Sequence, residues 1–141
     1  MGTSPLPGSL HHVELRVADL SKAAPSWNWI LTCLGYVEFQ RWPEGVSWIL
    51  GSTYIVIEQA PMPRAHDRRE AGISHLAFHA GGRKRVDEIW ATAPNHGWAR
   101  LYEERHPWAG GEPDQDQPGH YAAFLENDER FKVELVASDA T

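Results

Sequence analysis

From Leu10 the chain alternates strictly. Val13, Leu15 and Val17 are apolar, and His12, Glu14 and Arg16 between them are polar. A period of two over residues 10–17 predicts a half-buried strand. Asp19 then offers a helix cap, and "LSKAAPSWNWILTCLG" carries a helical pattern that closes at Gly35. Pro25 suits only a first turn, so the helix is expected to begin near Ala23. Three short strands are predicted around 36–40, 47–50 and 53–59, with turns at "PEG" and "GS".

After the breaker segment "APMPRAHDRREAG" the pattern restarts. "ISHLAFHA" is a strand with His75 in third place, as His12 is third in "LHHVELRV". "RKRVDEIWATAPNHGW" is a helix with "HGW" where the first half has "LGY". Strands are expected near 100–103 and 121–126, and "RFKVELVA" resembles "TYIVIEQA". His75 lies 63 residues after His12, Gly97 62 after Gly35, and Glu134 76 after Glu58. The loop "RHPWAGGEPDQDQPGH" absorbs the longer last step. Two copies are too few for a solenoid. The chain is read as one α+β domain, 1–141, of two βαβββ modules, about 10–60 and 72–137, with a linker at 61–71.

Composition narrows the function. The chain has 141 residues, a net charge of −6 and scattered basic residues. Its longest basic cluster, Arg83–Lys84–Arg85, is a solvated helix start rather than a nucleic-acid face. One cysteine, Cys33, excludes an internal disulfide and fits a reducing compartment. No apolar run approaches the roughly 20 residues that span a bilayer. "MGTSPLPGS" has neither feature of a signal peptide, so a loose lead-in and a cytoplasmic location are expected. Seven tryptophans and eight histidines are many for this length, and suit either a core or a pocket for a flat organic ligand.

Alternation also sorts the chemistry by face. Helices cover the side bearing Val13, Leu15, Val17, Leu76 and Phe78. The other side then carries His12, Glu14 and Arg16; Tyr54, Val56 and Glu58; His75 and His79; Lys132 and Glu134. Two histidines and two glutamates on such faces make a candidate divalent-metal site for Zn, Ni, Co, Fe(II) or Mn. His11 is expected to be structural, and His66, His96 and His106 to face solvent. His120 and Tyr121 are candidates for a pocket mouth. "HPWAGG" is a candidate lid, with Gly110–Gly111 as hinge and Trp108 as cover. Glu126 and Asp128 are assigned to the final hairpin.

The repeat, with His12 in "LHHVELRVADL", Glu58 in "YIVIEQ", His75 in "ISHLAFHA" and Glu134 in "FKVELVA", resembles the vicinal oxygen chelate superfamily. That group holds glyoxalase I, bleomycin- and fosfomycin-resistance proteins and extradiol dioxygenases. The resemblance implies a metal-binding cleft with His12, Glu58, His75 and Glu134 as ligands, the set of bacterial-type glyoxalase I. It places Arg16 where that enzyme uses an arginine near its thiol cofactor, and it implies a homodimer. Met62 replaces the glyoxalase asparagine, Glu14 replaces the threonine of fosfomycin-resistance enzymes, and Phe124 the dioxygenase tyrosine. The expected activity is a metal-dependent lyase or isomerase on a small substrate with vicinal oxygens, with Glu134 or Glu58 as base. Glu14, Arg16, Trp108, His120 and Tyr121 are the expected substrate contacts. The alternatives are antibiotic resistance by sequestering an aromatic drug, and extradiol-type dioxygenase chemistry.

Overall fold

The structure, a computed structural model, describes residues 4–138, so part of the expected lead-in lies outside it. Residues up to Arg64 form one compact unit and those from Ala65 a second. The division falls inside the expected linker.

The first unit runs β1 (His12–Val17), α1 (Leu20–Cys33), β2 (Val37–Trp42), β3 (Gly45–Leu50) and β4 (Thr53–Gln59). The second runs β5 (Leu76–His79), α2 (Arg83–Thr92), β6 (Trp98–Leu101), β7 (Ala122–Asn127) and β8 (Lys132–Val136). Each unit folds one four-stranded sheet in the same order, β1-β4-β3-β2 and β5-β8-β7-β6. The first strand of each pairs parallel with the last, and the remaining pairs are antiparallel. The two βαβββ modules read from the sequence are therefore present.

α1 buries Ala23, Trp27, Ile30 and Leu31, an i, i+4, i+7, i+8 stripe, against its own sheet. Leu15, Val17, Val46, Trp48, Ile55 and Ile57 are buried on the sheet. In the second unit Val86 and Ile89 of α2 are buried with Val133, Leu135 and Leu125. Gly35 and Gly97 both take left-handed backbone, φ 95° and 86°, where each helical segment turns back into its sheet. Glycine adopts that conformation without the steric cost of a Cβ.

Most strand ends shift by one or two residues from expectation, and three differences stand out. α1 begins at Leu20, not Ala23, because the Asp19 carboxylate accepts the Lys22 N–H at 3.3 Å and caps the helix there. Pro25 consequently lies inside the helix, where its missing N–H costs one backbone bond. β6 ends at Leu101, short of the expected 103, because Tyr102 turns the chain with φ 57°. His75 stands immediately before β5 rather than within it.

Candidate functional site

In the second module the open face of the sheet follows from alternation. Lys132 and Glu134 of β8 share a side, since Val133 between them and Leu135 beyond are fully buried. Phe124 pairs with Glu134 and Glu126 with Lys132, so β7 adds these two. His120, four residues before Phe124, falls on the same side. The Glu134 residue is only 7% exposed, and both of its oxygens are taken. His75 Nε2 lies 3.0 Å from Oε1, and His120 Nε2 is bonded to Oε2. An ionised carboxylate only accepts, so in that pairing the His75 Nε2–H is the donor. The Ser74 hydroxyl then donates to His75 Nδ1 at 2.9 Å.

The long loop delivers His120. His106 N donates to Tyr102 O, Gly111 N to Trp108 O, His120 N to Gly111 O and Ala122 N to Pro107 O, so the segment folds back on itself. A methyl at Gly110 would come within 2.5 Å of His120 Cδ2. Gly110 is thus required by close approach of the imidazole, a different role from the expected hinge. Tyr121, one residue on, faces the other way. Its hydroxyl donates to Asp87 of α2 at 2.6 Å, burial pushes it up to about 12 with help from that bond, and its ring meets Trp108 edge-on at 5.2 Å. The Arg83 guanidinium lies over both rings. Trp108 and Tyr121 therefore cluster with α2, and His120 alone of the three joins Glu134.

The first module is arranged differently. His12 is exposed, stacked on Tyr54 at 4.7 Å with its Nδ1 2.9 Å from that of His11. Glu58 meets Arg16 at 3.4 Å, and Glu14 and Arg16 are exposed. The register explains the contrast. Ala77 pairs with Glu134, whereas Glu14, the residue 63 positions before Ala77, pairs with Val56. Counted by this register from the first strand, Val56 stands where Glu134 stands in the second module. Glu58 lies two residues further along the same face.

Two histidines expected in solvent are packed instead. The His66 ring stacks on Phe131 at 4.0 Å with its Nε2 buried, and His106 stacks on Trp90 at 3.7 Å. Burial lowers the His106 pKa. Trp27, Trp48 and Trp98 are essentially inaccessible, so part of the tryptophan excess is core. Glu126 is held by Arg68 at 2.6 Å. Sequence reasoning missed Tyr102, whose hydroxyl lies 2.9 Å from Lys132 Nζ on this same face.

Among the described residues, no group of three or more His, Cys, Asp or Glu side chains is arranged to hold a metal ion. His75 and Glu134 nevertheless fit as two ligands of one. Their donor atoms stand 3.0 Å apart, close to the spacing of neighbouring ligands around an ion bound at about 2.1 Å. If Nε2 took a metal, Nδ1 would carry the proton and donate to the Ser74 hydroxyl, which orients the ring.

Residues 11–124 match the glyoxalase/bleomycin resistance protein/dioxygenase superfamily, and the chain belongs to it. An uncharacterised Bacillus subtilis protein, YqjT, is 44% identical over 131 residues, covering 91% of this chain and 98% of its own. The solved structure of a candidate glyoxalase from Bacillus halodurans is 42% identical, with a TM-score of 0.84 over 93% of this chain and 96% of its own. The fold is also that of lactoylglutathione lyase from Agrobacterium tumefaciens, at 18% identity and a TM-score of 0.59 over 94% of this chain and 95% of that one. A fosfomycin resistance protein from Listeria monocytogenes, solved with Mn(II) and sulfate, gives 17% and 0.65 over 95% and 93%. No helix among the described residues is long and apolar enough to cross a membrane.

Proposed function

We propose that this chain is a divalent-metal-dependent lyase or isomerase acting on a small substrate with two adjacent oxygens. The observation that carries the reading is the buried Glu134 carboxylate, held by His75 and His120 on the open face of the second sheet. Imidazole and carboxylate suit Zn, Ni, Co, Fe(II) or Mn. His75 and Glu134 would hold the ion, and His12 and Glu58 are the first-module candidates to be tested by substitution. When bound, the ion would supply Lewis-acid stabilisation to negative charge developing on substrate oxygen.

The chain's own residues supply the rest. Glu134 is the proposed base, taking a proton from carbon beside a carbonyl through the oxygen that His120 now holds. His120 keeps that oxygen in place, and Phe124 excludes water beside it. The pairing of Glu58 with Arg16 favours Glu134 over Glu58 for this role. The first test is elemental analysis of protein purified without chelator, followed by Mn(II) titration of His75→Ala. Bound metal in the wild type and its loss in the variant are expected. A metal-free protein whose His75→Ala variant binds ligands normally overturns the reading.

The sequestration alternative is weakened, since three of the tryptophans that suggested it are structural. The proposal retains a cytoplasmic homodimer. β2 lies at the open edge of its sheet with Val37 and Phe39 62% and 47% exposed, an apolar strip that a second copy would cover. A monomer in sedimentation at micromolar concentration removes this part.

A further inference from the structure

Lys132 lies two residues before Glu134 on the same face, and its surroundings leave its charge unanswered. Its cross-strand neighbour Glu126 is the obvious partner, but Arg68 holds that carboxylate at 2.6 Å and Arg130 reaches it at 3.8 Å. Among the described residues no carboxylate pairs with Lys132. What it meets is aromatic: the ammonium lies 5.0 Å from the Tyr102 ring centre and 5.1 Å from that of Phe124, and it donates to the Tyr102 hydroxyl at 2.9 Å. These rings strip water from the cation without neutralising it.

Tyr102 is held there by unusual means. Its backbone is left-handed at φ 57°, a conformation that disfavours a bulky side chain. Arg105 lies over its ring at 5.1 Å. Because the lysine donates to the phenol oxygen, the phenol proton must point to another acceptor. Lys132 is the one hydrogen-bond partner of this hydroxyl among the described residues. The ammonium keeps two further N–H groups. One O–H donor, spare N–H donors and an unneutralised positive charge thus converge on one spot.

We infer that Tyr102 and Lys132 form a subsite for an anionic substituent of the substrate, a carboxylate or a phosphate-like group. This deepens the proposed function and rests on it for the word substrate. The hydrogen bond from Lys132 lowers the Tyr102 pKa, and the nearby Arg68 and Arg105 charges add to the positive potential. Same-face residues two apart on a strand are separated by about 6–7 Å. The anionic group therefore sits a few bonds from the oxygens that would be engaged at His75 and Glu134. The substrate class is a small acid with two adjacent oxygens at one end and a carboxylate or phosphate-like group near the other.

The test uses metal-depleted full-length protein, with inorganic phosphate and acetate as separate probes in calorimetry and NMR. At least one probe should bind, with its preference deciding between the two anions, and should shift the Lys132 Nζ and Tyr102 ring resonances. Lys132→Met should weaken that binding about tenfold or more, the scale of one lost charge-assisted hydrogen bond. Lys132→Arg should retain most of it, and Tyr102→Phe should weaken it less than the methionine does. His75→Ala should leave anion binding intact while losing Mn(II), so a failure of the metal reading shows separately. Absence of any shift at Lys132 in the wild type with either anion overturns the subsite, as does a folded Lys132→Met variant that binds the probe as tightly as wild type.

Discussion

In the second module Ala77 pairs with Glu134, and His75 reaches that glutamate at 3.0 Å. In the first, Glu14 stands in Ala77's place opposite Val56, and His12 stacks on Tyr54 while Glu58 turns to Arg16. Strand order, pairing directions and the glycine after the helix are the same in both. The difference is two residues of register. A shared topology fixes which side chains face the same way, but not which of them meet along the strand. Burial sharpens the contrast, since the Glu134 side chain is 10% exposed and that of Glu58 23%.

Substituting the two glutamates gives the widest separation between the modules. Glu134→Gln should lower turnover of the true substrate by roughly 10²–10⁴-fold, the loss expected for a general base. Glu58→Gln should cost far less, and steady-state kinetics on both variants checks this. Comparable losses would restore the symmetric picture. Gly110→Ala comes next. The added methyl must push His120 off Glu134, so the His120 imidazole resonances should move and the melting temperature fall, with no change to the first module's spectrum. An unchanged His120 environment would show that the loop can yield without it.

The third effect is on pH. Burial against Trp90 lowers the His106 pKa below its ordinary 6.5, so the unfolded chain binds this proton more tightly than the folded one. The resulting stability is present above pH 6.5 and is lost as pH falls below it. His106→Phe, which can keep the stack, should flatten that part of the melting-temperature profile and match wild type above neutrality. A parallel fall in both proteins would remove the assignment to His106. The smallest effect is spectroscopic. Within the second module Lys132 lowers the Tyr102 pKa, whereas burial and Asp87 raise Tyr121 to about 12. Absorbance near 295 nm on Tyr102→Phe and Tyr121→Phe should remove an early and a late step respectively.

Much of this was legible in the sequence. Alternation placed His12, Glu14, Arg16, Lys132 and Glu134 on faces, and the recurrence of His12 and Gly35 at His75 and Gly97 gave the duplication. Register was not legible, because Val56 and Glu58 share a face and period-two reasoning cannot tell neighbours on one face apart. Tyr102 escaped because it is 30 residues from Lys132 and leaves its strand in a left-handed turn, which no propensity signals at a tyrosine. His120 was visible as a loop-end residue, but its partner depended on how the loop folds back. His66 and His106 were misplaced because a histidine between polar neighbours reads as exposed, while stacking on Phe131 and Trp90 is a tertiary fact.

Val56 carries a consequence for descent. A tandem duplication begins with identical residues in both copies, and each later change is independent. Both copies now present a histidine ahead of or at the start of the first strand, and one presents a glutamate two rungs beyond it. A valine codon becomes a glutamate codon by one base change. A glutamate at this one position would give the first module the second module's spacing; Val56 is only 4% exposed and pairs with the buried polar Ser47. The register of a parallel strand pair therefore marks which positions of the two modules correspond where residue counts along the chain do not.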